Sequence, residues 1–472
     1  MSATTFLNGR VTLEAGDCLD VLRSYPDCHF DSVVTDPPYA LVSIVKRFGK
    51  AGAKPTKDGD VYSRASAGFM GKAWDTGERA FAVEFWQEVY RVLKPGGHVI
   101  AASGTRTYHR LACAVEDAGF EIRDMVQWLY ASGFPKSHDV SKGIDKAAGA
   151  ERRVIAKGDP VRRMIPGADQ AKAGWEKNNG RVFVPTETAA ATAEAAAWEG
   201  WGTALKPACE PWVLARKPLT GTVAENVLQH GTGAINIDGC RVGSDTRSRS
   251  RSTGELVSAN LSMAGGNYAR EIVGTVEGRW PANIAHDGSD EVLAAFPDSD
   301  SGSGSGSGSG GIWSASTGKP AGPTYGDGAG SAARFFYSAK ADAHDRVGSK
   351  HPTVKPVDLM QWLVRLVTPK DGLVLDPFAG TGTTGEAAWR EGMRAVLIER
   401  EEEYRADISR RMRLADRPDE RAAVAKAKGV VDPPESLPLF GGDGTNAAGG
   451  GASSTAASRP TNRADRVEEV TR

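Results

Sequence analysis

The stretch Asp31-Ser32-Val33-Val34-Thr35-Asp36-Pro37-Pro38-Tyr39 decides how the rest of the chain is read. It begins as a short apolar run of strand type and ends at two consecutive prolines. Proline cannot donate to a sheet ladder and holds φ near about −65°, so the strand has to stop there. The chain then leaves the sheet in a stiff extended corner with Asp36 and Tyr39 at its ends. A carboxylate, unpaired backbone carbonyls and an aromatic ring at the C-terminal end of a strand suit a flat, amino-bearing ligand. A Pro-Pro corner that merely ends a strand is the competing reading, and the tetrapeptide alone does not choose.

Outward from this stretch, strand and helix patterns alternate. Val11 to Leu22 begins strand-like and passes through Gly16-Asp17 into a short helical pattern. Phe81, Phe85, Val89 and Val92-Leu93 recur at helical spacing up to Lys94-Pro95-Gly96-Gly97, a helix-ending signal, after which His98 to Ala102 reads as a buried strand. Tyr108 to Ala118 is helical and Phe120 to Tyr130 alternates like a strand. Such alternation predicts a parallel sheet covered on both faces. From about Pro135 to Asp342 the pattern breaks into polar, Gly-rich and basic segments with an Ala-rich helix candidate, Thr188 to Trp198. It resumes with a helix from Val357 to Leu366 and a strand, Leu373 to Asp376. The loop Pro377-Phe378-Ala379-Gly380-Thr381-Gly382-Thr383-Thr384-Gly385 follows, then a helix, the strand Ala395 to Ile398 and the acid Glu399. Glu402 to Leu414 closes the pattern as an amphipathic helix.

With 472 residues the chain is long enough for one elaborated domain or two, and 40% apolar with 25% charged residues is ordinary for a soluble folded protein. No basic-then-apolar leader and no run of roughly eighteen apolar residues is present, so a cytoplasmic protein without a membrane partner is expected. The five scattered cysteines, Cys18, Cys28, Cys113, Cys209 and Cys240, form neither a zinc pattern nor a disulfide frame, and no metal is expected. A net charge of −1 does not announce a nucleic-acid partner, but local balance does. Between Ala40 and Trp74, seven basic residues face only Asp58 and Asp60. A second basic excess runs from Lys136 to Arg181, and Arg241, Arg247, Arg249 and Arg251 form a third. Patches of this kind can track phosphates.

Leu373 to Glu399 is a strand, glycine loop, helix, strand and acid, the layout of a nucleoside-cofactor half-site. Glycines let the backbone approach a ligand, and an acid about twenty residues on can hold ribose hydroxyls. A dinucleotide enzyme would carry Gly-x-Gly-x-x-Gly at the first strand, and no Walker lysine follows this loop, which argues against ATP. Loops at the C-terminal ends of two central strands converge on one crevice, so Gly380 to Gly382 would face Asp36 to Tyr39.

Asp36-Pro37-Pro38-Tyr39 followed far downstream by Phe378-Ala379-Gly380-Thr381-Gly382 resembles the S-adenosylmethionine-dependent DNA amino-methyltransferases, in the catalytic-motif-first order of their beta class. Gly16-Asp17, Gly68 to Asp75, His351-Pro352-Thr353-Val354-Lys355-Pro356 and the islands at 210–238 and 278–286 are similar to a bacterial and phage branch of that family. The resemblance covers roughly residues 10–140, 205–290 and 330–415. It implies a Rossmann-like α/β fold, a doubly wound mixed sheet with circularly permuted motif order and a long irregular insertion. The implied parts are a catalytic half (1–135), an insertion holding the target-recognition region (136–330, with a Ser-Gly linker at 301–311), a cofactor half (331–417) and a disordered tail (418–472).

The resemblance also implies roles. Asp36 and the Pro37 carbonyl, set by Pro38, accept the two hydrogens of an exocyclic amino group, and Tyr39 stacks on a base flipped out of double-stranded DNA. Asp17 would contact the cofactor adenine and Glu399 its ribose. Asp376, Pro377, Phe378, Gly380 and Gly382 would surround the methionine moiety, with Thr353, Lys355 and Thr383 in the same cofactor set. Bland alternatives stand beside these: Asp17 as a helix cap, Lys355 as a linker residue, Glu399 paired with Arg400 or Arg405, and Trp74 and Trp280 as core. Asp36 favours adenine N6 as the target. Cytosine N4, for which the family more often has Ser there, is the nearest rival. An RNA or protein-amide methyltransferase and a silent cofactor- or DNA-binding module are more distant. Neither the oligomeric state, a homodimer included, nor a partner nuclease is legible, and no nuclease motif is evident.

Overall fold

The computed structural model describes residues 3–39, 79–133, 137–158, 161–162, 182–258, 267–300, 329–339, 343–349, 351 and 353–427. The expected 40–75 loop with Trp74, the Ser-Gly linker and the chain beyond 427 lie outside these residues. Two compact units are present, residues 1–137 with 204–439, and residues 138–203 with 440–472.

The first unit is built on a ten-stranded sheet, its strands numbered here in chain order. They are β1 (Ala3–Phe6), β2 (Val11–Ala15), β3 (Phe30–Thr35), β4 (Leu93–Ala102) and β5 (Glu121–Leu129). β6 (Cys209–Arg216), β7 (Ile284–His286), β8 (Tyr337–Ser338), β9 (Leu373–Asp376) and β10 (Arg394–Glu399) complete it. The spatial order is β1-β2-β10-β9-β3-β4-β6-β5-β7-β8. β1 and β6 run antiparallel to their neighbours, and every other pairing is parallel.

Each central strand feeds two cores. Val34, Val374 and Leu397 pack on one face, against the helix Val357–Val367. Their neighbours Val33, Leu375, Val396 and Ile398 pack on the other, against the helices Cys18–Leu22, Val83–Val92 and Tyr108–Asp117. Side chains alternate across a strand, so a strand buried on both sides must be apolar at successive positions, as β3 is. In Val83–Val92 the buried residues Phe85, Trp86, Val89 and Val92 form one helical stripe, as the spacing predicts. Helices on both faces of a largely parallel sheet make this the doubly wound α/β fold expected. β3 and β9 are neighbours, with Val374 beside Ser32 and Leu375 beside Val33. From them the chain winds outward in opposite directions, so the crevice at the top of the sheet lies between them.

Parts of the stretch expected as an insertion belong to this sheet. Trp212, Val213, Leu214 and Ala215 of β6 are buried between β4 and β5, and β7 extends the far edge. An apolar run this short cannot be placed from sequence alone, because its partners lie about a hundred residues upstream. A separate antiparallel ribbon joins Val242–Ser258 to Asn267–Arg279.

The second unit is small, with a helix, Val140–Ala147, and a hairpin of Val154–Lys157 with Thr186–Thr188. The Ala-rich helix is shorter than expected, Ala193–Ala196, capped by Thr192. Buried Asp145 ties these pieces together, accepting from Arg152, the Ala191 and Thr192 amides and the Thr192 hydroxyl.

The expected tail also contributes structure, since Pro418–Ala427 is a helix. Its Arg421 reaches Glu386, a fully buried acid on the helix Thr383–Arg390 that also holds Arg390 and Arg411 at 2.7 Å. Arg411, itself buried, donates to the Thr381 carbonyl at 2.8 Å and so pins the glycine loop. Burial alone would raise the Glu386 carboxyl, but the Arg411 and Arg421 charges hold it below the ordinary value. Glu386→Gln would leave the buried Arg411 guanidinium against a neutral amide. We expect a loss of about 3–5 kcal/mol, read as a lower urea midpoint. A midpoint equal to that of the wild type would show that the network contributes nothing to stability.

Candidate active site

β3 ends at Thr35, where the two prolines begin, so Asp36 is the first residue past the sheet. β9, the parallel neighbour of β3, ends at Asp376. Thr35 Oγ1 donates to Asp376 Oδ1 at 2.7 Å, Thr384 Oγ1 to Asp376 Oδ2 at 2.5 Å, and the Phe378 amide to Oδ1 at 3.1 Å. Asp376 thus clamps the glycine loop to both strands. Burial pushes its carboxyl up to about 6, against those three donors.

The loop that follows turns through left-handed backbone at Gly380 (φ +52°) and Gly382 (φ +77°). A side chain at Gly382 would meet Ile408 at 3.1 Å, so the close turn requires glycine there. Pro377 and Phe378 lead into it, the Phe378 ring resting 5.1 Å from Phe85, and Thr383 is buried at the start of the next helix. Glu399, at the end of β10, does not use its carboxylate on Arg400 or Arg405. Oε2 accepts from the Gly380 amide at 2.9 Å and Oε1 from the Glu401 amide at 2.8 Å. Asp17, at the end of β2, caps the helix Cys18–Leu22 through the Leu19 amide at 3.0 Å and lies 3.4 Å from Arg79.

His351-Pro352-Thr353-Val354-Lys355-Pro356 spans both loops. The buried His351 ring packs edge-on against Tyr404 (4.5 Å) and lies 3.4 Å from where a Gly380 side chain would start. Burial pushes its imidazole down to about 4, so it is neutral at pH 7. The Thr353 backbone folds back on the same ring, with its carbonyl 3.1 Å from Nδ1. Lys355 points the other way. Its Nζ is 2.7 Å from Asp36 Oδ2, 3.1 Å from Tyr39 Oη and 3.3 Å from Glu210 Oε2. The structure therefore puts Lys355 at the Asp-Pro-Pro-Tyr corner rather than beside the glycine loop. Burial favours the neutral amine, but the Asp36 and Glu210 charges outweigh it and hold the ammonium above its ordinary value.

Asp36 Oδ1 is buried and has no hydrogen-bond partner among the described residues. Pro37 is buried and Pro38 half-buried. The Tyr39 carbonyl is held by Thr107 Oγ1 at 2.9 Å, which fixes the far end of the corner. Trp280, weighed as core or base-stacking, is 65% exposed, with the Arg241 guanidinium 5.6 Å from its ring. Sequence reasoning missed Glu210 and Thr35 as parts of this site. The one signal for Glu210 was an acid placed directly before a fully apolar run, which is where a strand meets the rim of a sheet.

A carboxylate with an open acceptor thus lies beside a glycine-loop crevice on a doubly wound sheet. A family profile described as DNA methylase matches residues 30–148 and 290–410, more than half of the chain, and the chain belongs to that family. The type II methyltransferase M2.DpnII of Streptococcus pneumoniae is 42% identical over 60 residues, 13% of this chain and 22% of that protein. The type II methyltransferase M.HindIII of Haemophilus influenzae is 24% identical over 310 residues, 65% of this chain and 60% of that protein. The matches thus span less than two thirds of these curated relatives. Among solved structures, the PvuII DNA methyltransferase (cytosine-N4-specific) aligns over 89% of this chain and 93% of its own at 15% identity, with a TM-score of 0.38.

Burial pushes the Glu399 carboxyl up to about 7, against the two amides that hold it. A carboxyl that binds its proton more tightly when folded adds stability below its ordinary value of 4.5 and loses it as pH rises to about 7. Glu399→Gln removes that component. The wild-type minus variant unfolding free energy is expected to fall across this window and level off above it. A difference that stays constant with pH would show that Glu399 titrates as it does when unfolded.

Proposed function

We propose that this chain transfers a methyl group from S-adenosylmethionine to the N6 amino group of an adenine in double-stranded DNA. Family membership supports a DNA methylase, the buried, unpartnered Asp36 Oδ1 is the observation that supports transfer to an exocyclic amino group, and Asp rather than Ser at this position favours adenine. The donor set fits the cofactor. The left-handed glycines leave the loop backbone bare, and each Glu399 oxygen, accepting one amide, retains a lone pair for a ribose hydroxyl. Asp376, Pro377, Phe378, Gly380, Gly382, Thr383 and Glu399 would hold it, with Asp17 and Thr353 on the same rim. When bound, the cofactor supplies a methyl carbon activated by a sulfonium.

An exocyclic amino nitrogen is a poor nucleophile because its lone pair is delocalised into the ring. Asp36 Oδ1 accepts one of its hydrogens and the Pro37 carbonyl the other, which favours a pyramidal nitrogen with its lone pair aimed at the methyl carbon. Asp36 would also serve as acceptor for the proton the nitrogen gives up on methylation, its Oδ1 being otherwise unpartnered. Tyr39 stacks on the ring. Placement supplies most of the rate, since no covalent intermediate with the protein is needed.

Target recognition falls to the parts of the 136–330 stretch outside the main sheet. A two-stranded antiparallel ribbon, as Val242–Ser258 forms with Asn267–Arg279, is an element a major groove admits, and Arg247, Arg249 and Arg251 occupy alternate positions along one of its strands. Phosphate contacts supply affinity and a few side chains read bases.

With labelled cofactor and unmethylated duplex, label is expected to enter DNA, and chromatography of the digested product should show N6-methyladenine. N4-methylcytosine would move the assignment to cytosine. Asp36→Ala should abolish transfer while leaving cofactor affinity nearly unchanged; an equal loss of both would make Asp36 a cofactor contact. Duplex binding should weaken steeply between about 50 and 200 mM salt, and a flat response would remove the DNA duplex as substrate.

A further inference from the structure

We propose that Glu210 is a positioning residue of the transfer site: it pairs with the Lys355 ammonium from one side, so that the same ammonium grips Asp36 by Oδ2 and leaves Oδ1 free for the amino group. This rests on the methyl-transfer reading above and adds a residue and a charge requirement to it.

Topology brings Glu210 to the site. β6 runs antiparallel between β4 and β5, so its first residues arrive at the rim where its parallel neighbours end. Glu210 is paired with Trp128, near the end of β5, and the next carbonyl, Pro211, accepts from the Ser103 amide just past β4 at 2.9 Å. In a wholly parallel sheet this rim is made of strand C-termini alone. Here one strand delivers an N-terminal acid to it.

The hydrogen count is tight. Lys355 has three N–H donors, is 5% exposed, and meets three acceptors: Asp36 Oδ2, Tyr39 Oη and Glu210 Oε2, at 2.7, 3.1 and 3.3 Å. A buried ammonium with Asp36 as its sole anion would neutralise the carboxylate that must act as acceptor. A second carboxylate divides its charge, and the three ionised side chains then carry a net −1. That sign suits a site in which positive charge passes from sulfur to the amino nitrogen. Glu210 Oε2 makes no well-aligned hydrogen bond; the carboxylate meets Lys355 as an ion pair at 3.3 Å and has the Tyr39 hydroxyl beside it. The groups facing this cluster are Asp36, Tyr39, Tyr130, Cys209, His351, Lys355 and, from the end of β9, Asp376. Burial, with Asp36 adding to it, raises the Glu210 carboxyl against the pull of Lys355.

The test uses the full chain with labelled S-adenosylmethionine and unmethylated duplex DNA. It compares wild type, Glu210→Gln and Glu210→Asp in single-turnover rate against pH, cofactor affinity by calorimetry, and melting temperature. Glu210→Gln is expected to lower the rate by at least about tenfold, with cofactor affinity within about twofold. Its rate profile should lose the acid limb that ionisation of the buried Glu210 carboxyl, raised by burial and by Asp36, gives the wild type. Glu210→Asp, which keeps the charge, should retain the wild-type acid limb and recover part of the rate. If Glu210→Gln matches the wild type, or loses rate, cofactor affinity and melting temperature together, the positioning role is overturned and the methyl-transfer reading stands. A wild type that binds cofactor yet labels no DNA overturns that reading and this one with it.

Discussion

Everything at the site depends on two strands lying side by side although they are far apart in the chain. β3 and β9 are joined by parallel pairing and by the Thr35 to Asp376 hydrogen bond, which spans 341 residues of sequence. A second tie sits at the other end of the same strands, where buried Asp31 accepts from the Leu373 amide at 2.7 Å and from Lys94 on β4 at 2.6 Å. Asp31 thus holds β3, β4 and β9 in register from below, and Asp376 holds the two loops from above. A slip of one residue would send the β3 side chains to the wrong faces and carry Asp36 away from the crevice.

The hexapeptide from His351 to Pro356 links the two halves chemically. Its histidine lies against the glycine loop and its lysine against Asp36, so one short stretch of chain touches both loops. On this arrangement the site is a rigid rim assembled from strand ends. The buried Glu386 network is the counterpart on the outer side of the glycine loop, where Arg411 holds the Thr381 carbonyl. The loop is therefore held by the neutral, buried His351 ring on one side and by the buried Arg411 charge on the other.

Much of this was legible in the residues. β3, β9 and β10 are short apolar runs ended by Asp-Pro, Asp-Pro and Glu-Arg, and local chemistry alone stops a strand at a proline. The glycines of the loop were legible because a left-handed turn selects for them. β6 was not, because Trp212 to Ala215 is an apolar stretch inside a polar region and only its two neighbours show it to be a strand. The helix Pro418–Ala427 was missed for a related reason. Its composition is that of a solvated tail, and it is Arg421 meeting Glu386 that brings it into the fold.

The chain by itself determined that Asp36 stands at a stiff strand end and that Gly380 to Gly382 form a tight turn, because proline and glycine act through their own backbone geometry wherever they occur. It did not determine what Lys355 does. Between two prolines it read as a linker residue or, by resemblance, as part of the cofactor set. Only the tertiary structure decided that its ammonium is buried among Asp36, Tyr39 and Glu210. A long charged side chain has no local preference for its partner. Where it points is settled by which acceptors the folded sheet places within its reach, and here those come from three separate segments of the chain.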